Sequence, residues 1–274
     1  MAKNFKGTRE AFAQAMIDAA AEDSKVMFVS PDSLKAMRAT KFADLYPDRY
    51  IEVGIAEQDA VAAAAGMAAA GLTPIVGTYA GFMTMRACEQ MRTFVAYPEL
   101  NVKFVGINSG LLGGEREGVT HQFYEDLGIL SNIPNFTLFT PADAAQTYHA
   151  VKTALEIDGP VYVRAGSGRE VDVFDFEAPF SPDGITVMKE YGKDTLLLSC
   201  GFVLDRVLAA ADILKEQGVN VTVADINILY GKNPEKILDV ISGFDRIVTV
   251  EDHNVNGGLG AYISKLVCEN EPRK

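Results

Sequence analysis

Short, nearly uninterrupted apolar runs return at intervals along this 274-residue chain, and a segment of helical period follows most of them. Residues 26–29, 50–55, 73–78, 102–107, 136–139 and 161–164 read as strands. Between them lie helical patterns, among them residues 8–21 with Phe12, Ala15, Met16 and Ala19 on one face, the Ala-rich 59–71, residues 82–96 closed by Tyr97-Pro98, and 142–156 opened by Thr140-Pro141. Strands and helices alternating at this pace predict an α/β fold, a mostly parallel sheet with helices on both faces. In such a sheet, ligands gather outside the carboxyl ends of the strands.

From Val171 to Tyr191 the rhythm breaks into an acidic, Pro-containing stretch (Asp172, Asp175, Glu177, Pro179, Pro182, Asp183-Gly184). Beyond it, strands at 195–199, 220–226 and 246–250 alternate with helices at 203–217, 233–241 and from about 259. The expectation is two consecutive mostly parallel-sheet domains: 1–175, a linker at 176–190, and a short second domain at 191–274.

A net charge of −12 and a pI near 4.8 argue against a binder of nucleic-acid backbones or of anionic membranes, while leaving room for a local basic pocket. The longest apolar run, 60–72, is too short and Ala-rich to span a bilayer, and residues 1–25 lack a secretory core, which points to the cytoplasm. Cys88, Cys200 and Cys268 form neither a metal-spacing motif nor an even disulfide set and read as buried free thiols.

Three strand ends carry residues capable of chemistry. Glu57 follows the strand 50–55 and opens the Ala-rich helix; taken alone, an acid there is favoured by the helix dipole by roughly 0.3–1 kcal/mol and needs no other reason. Thr78-Tyr79-Ala80-Gly81-Phe82 places aromatics where the next strand ends, to cap the core or to line a cleft. His121 leaves the Gly-rich loop 108–118 between Thr120 and Gln122; a lone histidine is more often structural, yet a strand-end loop is where an acid–base group is useful. The turn Ser30-Pro31-Asp32-Ser33 stands at the same edge.

Five strings in register resemble the C-terminal half of the transketolases and deoxyxylulose-phosphate synthases: Gly54-Ile55-Ala56-Glu57-Gln58, Gly77-Thr78-Tyr79 with Phe82, Gly118-Val119-Thr120-His121-Gln122, Leu138-Phe139-Thr140-Pro141-Ala142-Asp143, and Gly159-Pro160-Val161-Tyr162-Val163-Arg164. The resemblance implies a thiamine-diphosphate pyrimidine-binding domain followed by the family's C-terminal domain. It implies that Glu57 hydrogen-bonds the far pyrimidine nitrogen and favours the imino tautomer, with Phe82, Tyr79 and Met85 around the ring. It implies that His121 faces substrate hydroxyls, that Glu117 takes the place of a hydroxyl-binding acid, with Glu115 or Arg116 as alternatives, and that Arg164 holds a sugar phosphate. Asn108 stands where many transketolases carry a histidine, and Ser30 and Asp32 lie where the family places further contacts. Gly257-Gly258 with Gly260, after Glu251-Asp252-His253-Asn254, matches the family's loop and reads as structural.

No Gly-Asp-Gly segment of the kind that holds the diphosphate metal is present. The chain therefore resembles the small, β subunit of a split transketolase, whose N-terminal partner would carry the diphosphate and Mg2+ site in an α2β2 assembly. The reaction implied is transfer of a two-carbon ketol unit from a ketose to an aldose, phosphorylated or otherwise anionic. The alternatives are a 1-deoxyxylulose-phosphate synthase-like or 2-oxoacid dehydrogenase β-like subunit and, in another class, a non-catalytic regulatory paralogue.

Overall fold

The computed structural model describes residues 5–114, 117–231 and 234–272. Eleven strands are seen among them: β1 (Val26–Ser30), β2 (Tyr50–Glu52), β3 (Thr73–Tyr79), β4 (Lys103–Ile107), β5 (Thr137–Phe139), β6 (Val161–Arg164), β7 (Ile185–Glu190), β8 (Thr195–Ser199), β9 (Val221–Ile226), β10 (Ile228–Leu229) and β11 (Ile247–Val250). They form a seven-stranded sheet in the order β10-β5-β6-β4-β3-β1-β2 and a four-stranded sheet in the order β11-β8-β9-β7. β1, β4, β6, β8 and β9 are buried along their whole length, which is why their sequences show no polar alternation.

One face of the first sheet is covered by the helices Thr8–Glu22 and Ala144–Glu156, with Phe12, Met16, Phe28, Phe42, Val105 and Val163 between the layers. The other face packs Val61, Ala64, Met83, Met91, Phe104 and Leu138 into a core that runs on without a break into Leu196, Leu198, Ile226 and Ile263 of the second domain. The two domains thus share apolar interior. The helix Ala144–Glu156 starts where expected because the Asp143 carboxylate accepts a hydrogen bond from the Gln146 N–H at 2.8 Å, capping its first turn. The helix Glu57–Ala69 is rich in alanine, a composition of high intrinsic helicity, and ends before Gly71 at φ 87°.

Three expectations are corrected. The stretch 176–190 is not all linker: Ile185–Glu190 forms β7, antiparallel to β9, its apolar pattern masked in the sequence by the acidic and Pro-rich residues before it. The first sheet is not built from the first domain alone, since β10 crosses back and pairs antiparallel with β5, Ile228 opposite Phe139. Of the three thiols only Cys200 is buried; Cys88 is half-buried and Cys268 exposed. The expected helix start at Asn233 lies outside the described residues. No helix among the described residues is long and apolar enough to cross a membrane.

The end of the sheet away from the strand-end loops holds a buried lysine. Lys103 is 1% exposed, and its ammonium donates to the carbonyls of Ile157 at 2.6 Å and Gly159 at 2.7 Å. Burial pulls it down to about 7 while Asp158 pulls the other way. The unfolded chain then holds the proton more tightly than the folded one, so this residue makes stability rise with pH from about 7 until the ordinary lysine range. Urea titrations across that window should show the rise in the native chain, and Lys103→Met should remove it.

Candidate active site

The chain runs from β1 out to β2, and then returns on the other side of β1 through β3 to β4. This reversal opens a crevice at the carboxyl ends of β1 and β3. The two ends are tied by a 2.8 Å hydrogen bond between the hydroxyls of Ser33 and Thr78. Ser30 is buried and its hydroxyl accepts from the Ser33 N–H, so it builds this turn and does not face the crevice. Asp32 is exposed at φ 50°, its backbone N–H held by Glu52 at 2.6 Å.

Glu57 is the first residue of the helix Glu57–Ala69 and is only 6% exposed. Its Oε1 accepts from Arg86 at 2.8 Å, and the Arg86 guanidinium, half-exposed, lies 4.0 Å over the Phe82 ring. Phe82 and Arg86 bound a π-helical stretch (Phe82–Arg86), a local widening that turns both toward the crevice. Tyr79 ends β3 with its ring 5.4 Å from Phe82. His121 completes the cluster, its imidazole edge-on at 4.7 Å to Tyr79 and 5.1 Å to Phe82, with Nδ1 hydrogen-bonded to the Thr120 hydroxyl at 2.9 Å. Phe123 backs Phe82 at 5.4 Å and lies so close to Gly81 that a Cβ there would stand 1.8 Å from its ring. Glu57, Tyr79, Phe82 and His121 are thus brought together. Met85, in the same π-helical stretch as Phe82, is 44% exposed. Beside Glu57, an open groove of about 740 Å3 is lined by Ile55, Gln58, Arg86 and Phe94.

Asn108 is fully buried at the end of β4, in the left-handed region at φ 54°, a conformation that costs a non-glycine residue energy and clusters at functional sites. Its Oδ1 accepts from Arg9, while its Nδ2 has no partner among the described residues. Arg9 enters from the first turn of the helix Thr8–Glu22, whose start is pinned to this edge by a 3.1 Å hydrogen bond from the Thr8 N–H to Glu170. Next to Arg9 is a recess of about 510 Å3 whose charged lining is Lys6, Arg38 and Lys41 with Glu10, a positive concentration in a chain of net charge −12. Glu117 is exposed on the loop, close enough to act electrostatically on Arg9; Glu115 and Arg116 lie outside the described residues.

Arg164 departs from expectation. It is 1% exposed, and its Nε and Nη2 donate to the two oxygens of Asp126 at 2.9 and 3.2 Å, with Nη2 also donating to the Asp252 carbonyl at 2.9 Å. Asp126 is itself fully buried and further accepts from the Tyr162 hydroxyl at 2.8 Å. Burial pushes the Asp126 carboxyl up, but Arg164 overrides it and holds the group below the usual carboxylate range. A guanidinium so enclosed and so paired is a seam element between the sheets and not a free phosphate ligand. Arg9 and Arg86 went unnoticed in the sequence because each lies within a helical segment, where nothing in the spacing shows that it turns toward a strand-end crevice.

Residues 6–168 match the transketolase pyrimidine binding domain and residues 184–272 the transketolase C-terminal domain. The chain belongs to the transketolase family. Among its relatives, a 6-deoxy-6-sulfo-D-fructose transketolase subunit of Clostridium sp. is 32% identical over 96% of this chain and 81% of its own length. An apulose-4-phosphate transketolase subunit of Phocaeicola vulgatus is 32% identical over 98% of this chain and 86% of its own. A solved split-gene transketolase, an inactive β4 tetramer, superposes with a TM-score of 0.89 at 36% identity, covering 98% of this chain and 87% of that one.

Removing one partner of the seam pair leaves the other charge buried without compensation. Asp126→Ala should therefore lower the unfolding free energy by roughly 3–5 kcal/mol. Urea unfolding measures this. The carboxylate of Asp126 is held below its ordinary range, so its contribution is present above the unfolded value near 3.8 and is lost as pH falls through the folded one.

Proposed function

We propose that this chain is the C-terminal, β subunit of a split thiamine-diphosphate-dependent transketolase, which moves a two-carbon ketol unit from a ketose to an aldose once a separate N-terminal subunit is bound. The observation that carries this reading is Glu57: a carboxylate almost removed from water, at a helix entrance, beside an aromatic wall and an open groove. Family membership supports the cofactor, and the donor set fits it. Thiamine diphosphate, when bound, supplies the carbon nucleophile that takes up and hands on the ketol unit.

The residues of this chain would do the rest. Glu57, 6% exposed, would hydrogen-bond the far pyrimidine nitrogen with little access to water. Phe82 and Tyr79 offer ring faces; the half-exposed Arg86 guanidinium, over Phe82 and paired with Glu57 at 2.8 Å, would have to give up both contacts as the pyrimidine arrives. His121, edge-on to both rings, stands where it can orient a substrate hydroxyl or take its proton. The basic recess of Arg9, Lys6, Arg38 and Lys41 receives the anionic end of the sugar, with Asn108 hydrogen-bonded to Arg9 and Glu117 close enough to act on it electrostatically. Arg9 thereby takes the role first read for Arg164.

The diphosphate and its Mg2+ would fall to the partner subunit, a reading supported by the likeness to separate transketolase subunits and to a split-gene transketolase. A partner chain covering this side is supported by the groove at Glu57, which lies open with Ile55 76% and Phe94 43% exposed, and we take the assembly to be α2β2. We place the pair in the cytoplasm and its work in carbohydrate metabolism.

With the partner supplied, Glu57→Gln should lower ketol transfer by at least about 100-fold while the assembly still forms, as loss of a positioned proton-transfer group implies. Near-normal turnover would overturn the cofactor assignment. Arg9→Ala should raise KM for a phosphorylated or sulfonated ketose about tenfold and leave an uncharged ketose within about twofold, the cost of one charge-assisted contact; steady-state kinetics on the two donors reads it.

A further inference from the structure

The turn 251–254 belongs to the second domain, yet three of its residues, Asp252, His253 and Asn254, bond the segment 110–128 that carries His121. The Asp252 carboxylate is 7% exposed and accepts from two backbone N–H groups across the seam, Leu111 at 2.9 Å to one oxygen and Leu112 at 3.0 Å to the other. Such bonds to an ionised acceptor are about twice as strong as neutral ones. The loop is shaped to receive this carboxylate: Gly110 stands at φ 77°, and a Cβ there would lie 2.1 Å from an Asp252 oxygen. Further along the same loop, the Asn254 N–H donates to the Tyr124 carbonyl at 2.9 Å, and the Gly128 N–H donates to His253 Nε2 at 3.3 Å. The second domain therefore holds the segment 110–128 at three successive points.

What the first point controls is the position of His121. The residues seated on Asp252 lead directly into Gly113 and Gly114. A Cβ at Gly113 would meet the Asn108 backbone at 2.5 Å, and one at Gly114 would meet the His121 carbonyl at 1.7 Å. The turn 110–114 is thus wedged between the Asp252 carboxylate on one side and the backbones of Asn108 and His121 on the other. Its first residue also exchanges two backbone hydrogen bonds with Phe123, at 2.6 and 3.2 Å, and Phe123 supports the Phe82 ring. A shift of this turn moves Asn108, His121 and Phe123 together.

We propose that Asp252 is a positioning residue for the transketolase site, through which the C-terminal domain sets the placement of His121 against Tyr79 and Phe82. This rests on the reading of His121 as a substrate-facing group, but the placement itself is measurable on this chain without its partner. His121 is one of three histidines, so its ring protons are assignable by comparison with His149 and His253 variants, and their shifts report the rings of Tyr79 and Phe82 packed against it.

The experiment compares the native chain with Asp252→Ala and with the milder Asp252→Asn, which keeps one acceptor. The expected result for Asp252→Ala is loss of the ring-current shift at His121 and at least about tenfold faster hydrogen exchange at Leu111 and Leu112, with the sheet amides still protected. Asp252→Asn should be intermediate on both. In the reconstituted pair, kcat should fall by roughly 10–100-fold while thiamine diphosphate affinity stays within about twofold, as misplacing one group by about 1 Å implies. If Asp252→Ala does not fold, the Asp252→Asn spectra decide. Unchanged His121 resonances in a folded variant overturn the proposal, as does a moved His121 with undiminished kcat. Absence of activity in the native pair, with the spectral shifts as expected, contradicts the reaction reading and leaves the placement by Asp252 standing.

Discussion

A guanidinium and a carboxylate with almost no access to water stand where the two sheets meet. Arg164 and Asp126 are each fixed by more than their mutual attraction, the one by the Asp252 carbonyl and the other by the Tyr162 hydroxyl. Buried charges survive only when they are paired and hydrogen-bonded, and here the partners come from both domains. The pair therefore sets the relation of the C-terminal domain to the end of β6. The turn 251–254, the loop 110–128 and the shared apolar core all depend on that relation.

From this seam outward, the crevice is assembled by strand ends. Thr78 and Ser33 tie β3 to β1, Glu57 arrives after β2, and His121 returns over Tyr79 and Phe82. Electrostatics divides the site into two regions. Around Glu57 the charge is balanced locally by Arg86, while around Arg9 positive side chains gather in a chain that is otherwise strongly acidic. In the proposed reading an anionic sugar would be drawn to the second region, with its reacting end toward the aromatic cluster. The Glu57 side is left open, as a site completed by another chain requires.

Much of this was legible in the sequence, because continuous apolar runs locate buried parallel strands and the residues that end those runs locate the crevice. Glu57, Tyr79, Phe82 and His121 follow from that rule. Arg164 follows it too, and there the rule misleads: the arginine does end an apolar strand, but Asp126 reaches it from a separate loop, and no spacing announces that meeting. Arg9 and Arg86 were hidden for the opposite reason, since cations on helices are the ordinary solvent-facing pattern. β7 and β10 were missed because one follows a Pro-rich acidic stretch and the other is a two-residue strand whose partner, β5, lies in the other domain.

The central claim is that this chain supplies one wall of a cofactor site and another chain the other. Calorimetric titration of thiamine diphosphate with Mg2+ into this chain alone, and then into its mixture with the N-terminal subunit, tests it most directly. Weak, Mg2+-independent heats for the chain alone and tight, Mg2+-dependent binding for the mixture are the predicted result. Tight, Mg2+-dependent binding by this chain alone would contradict it.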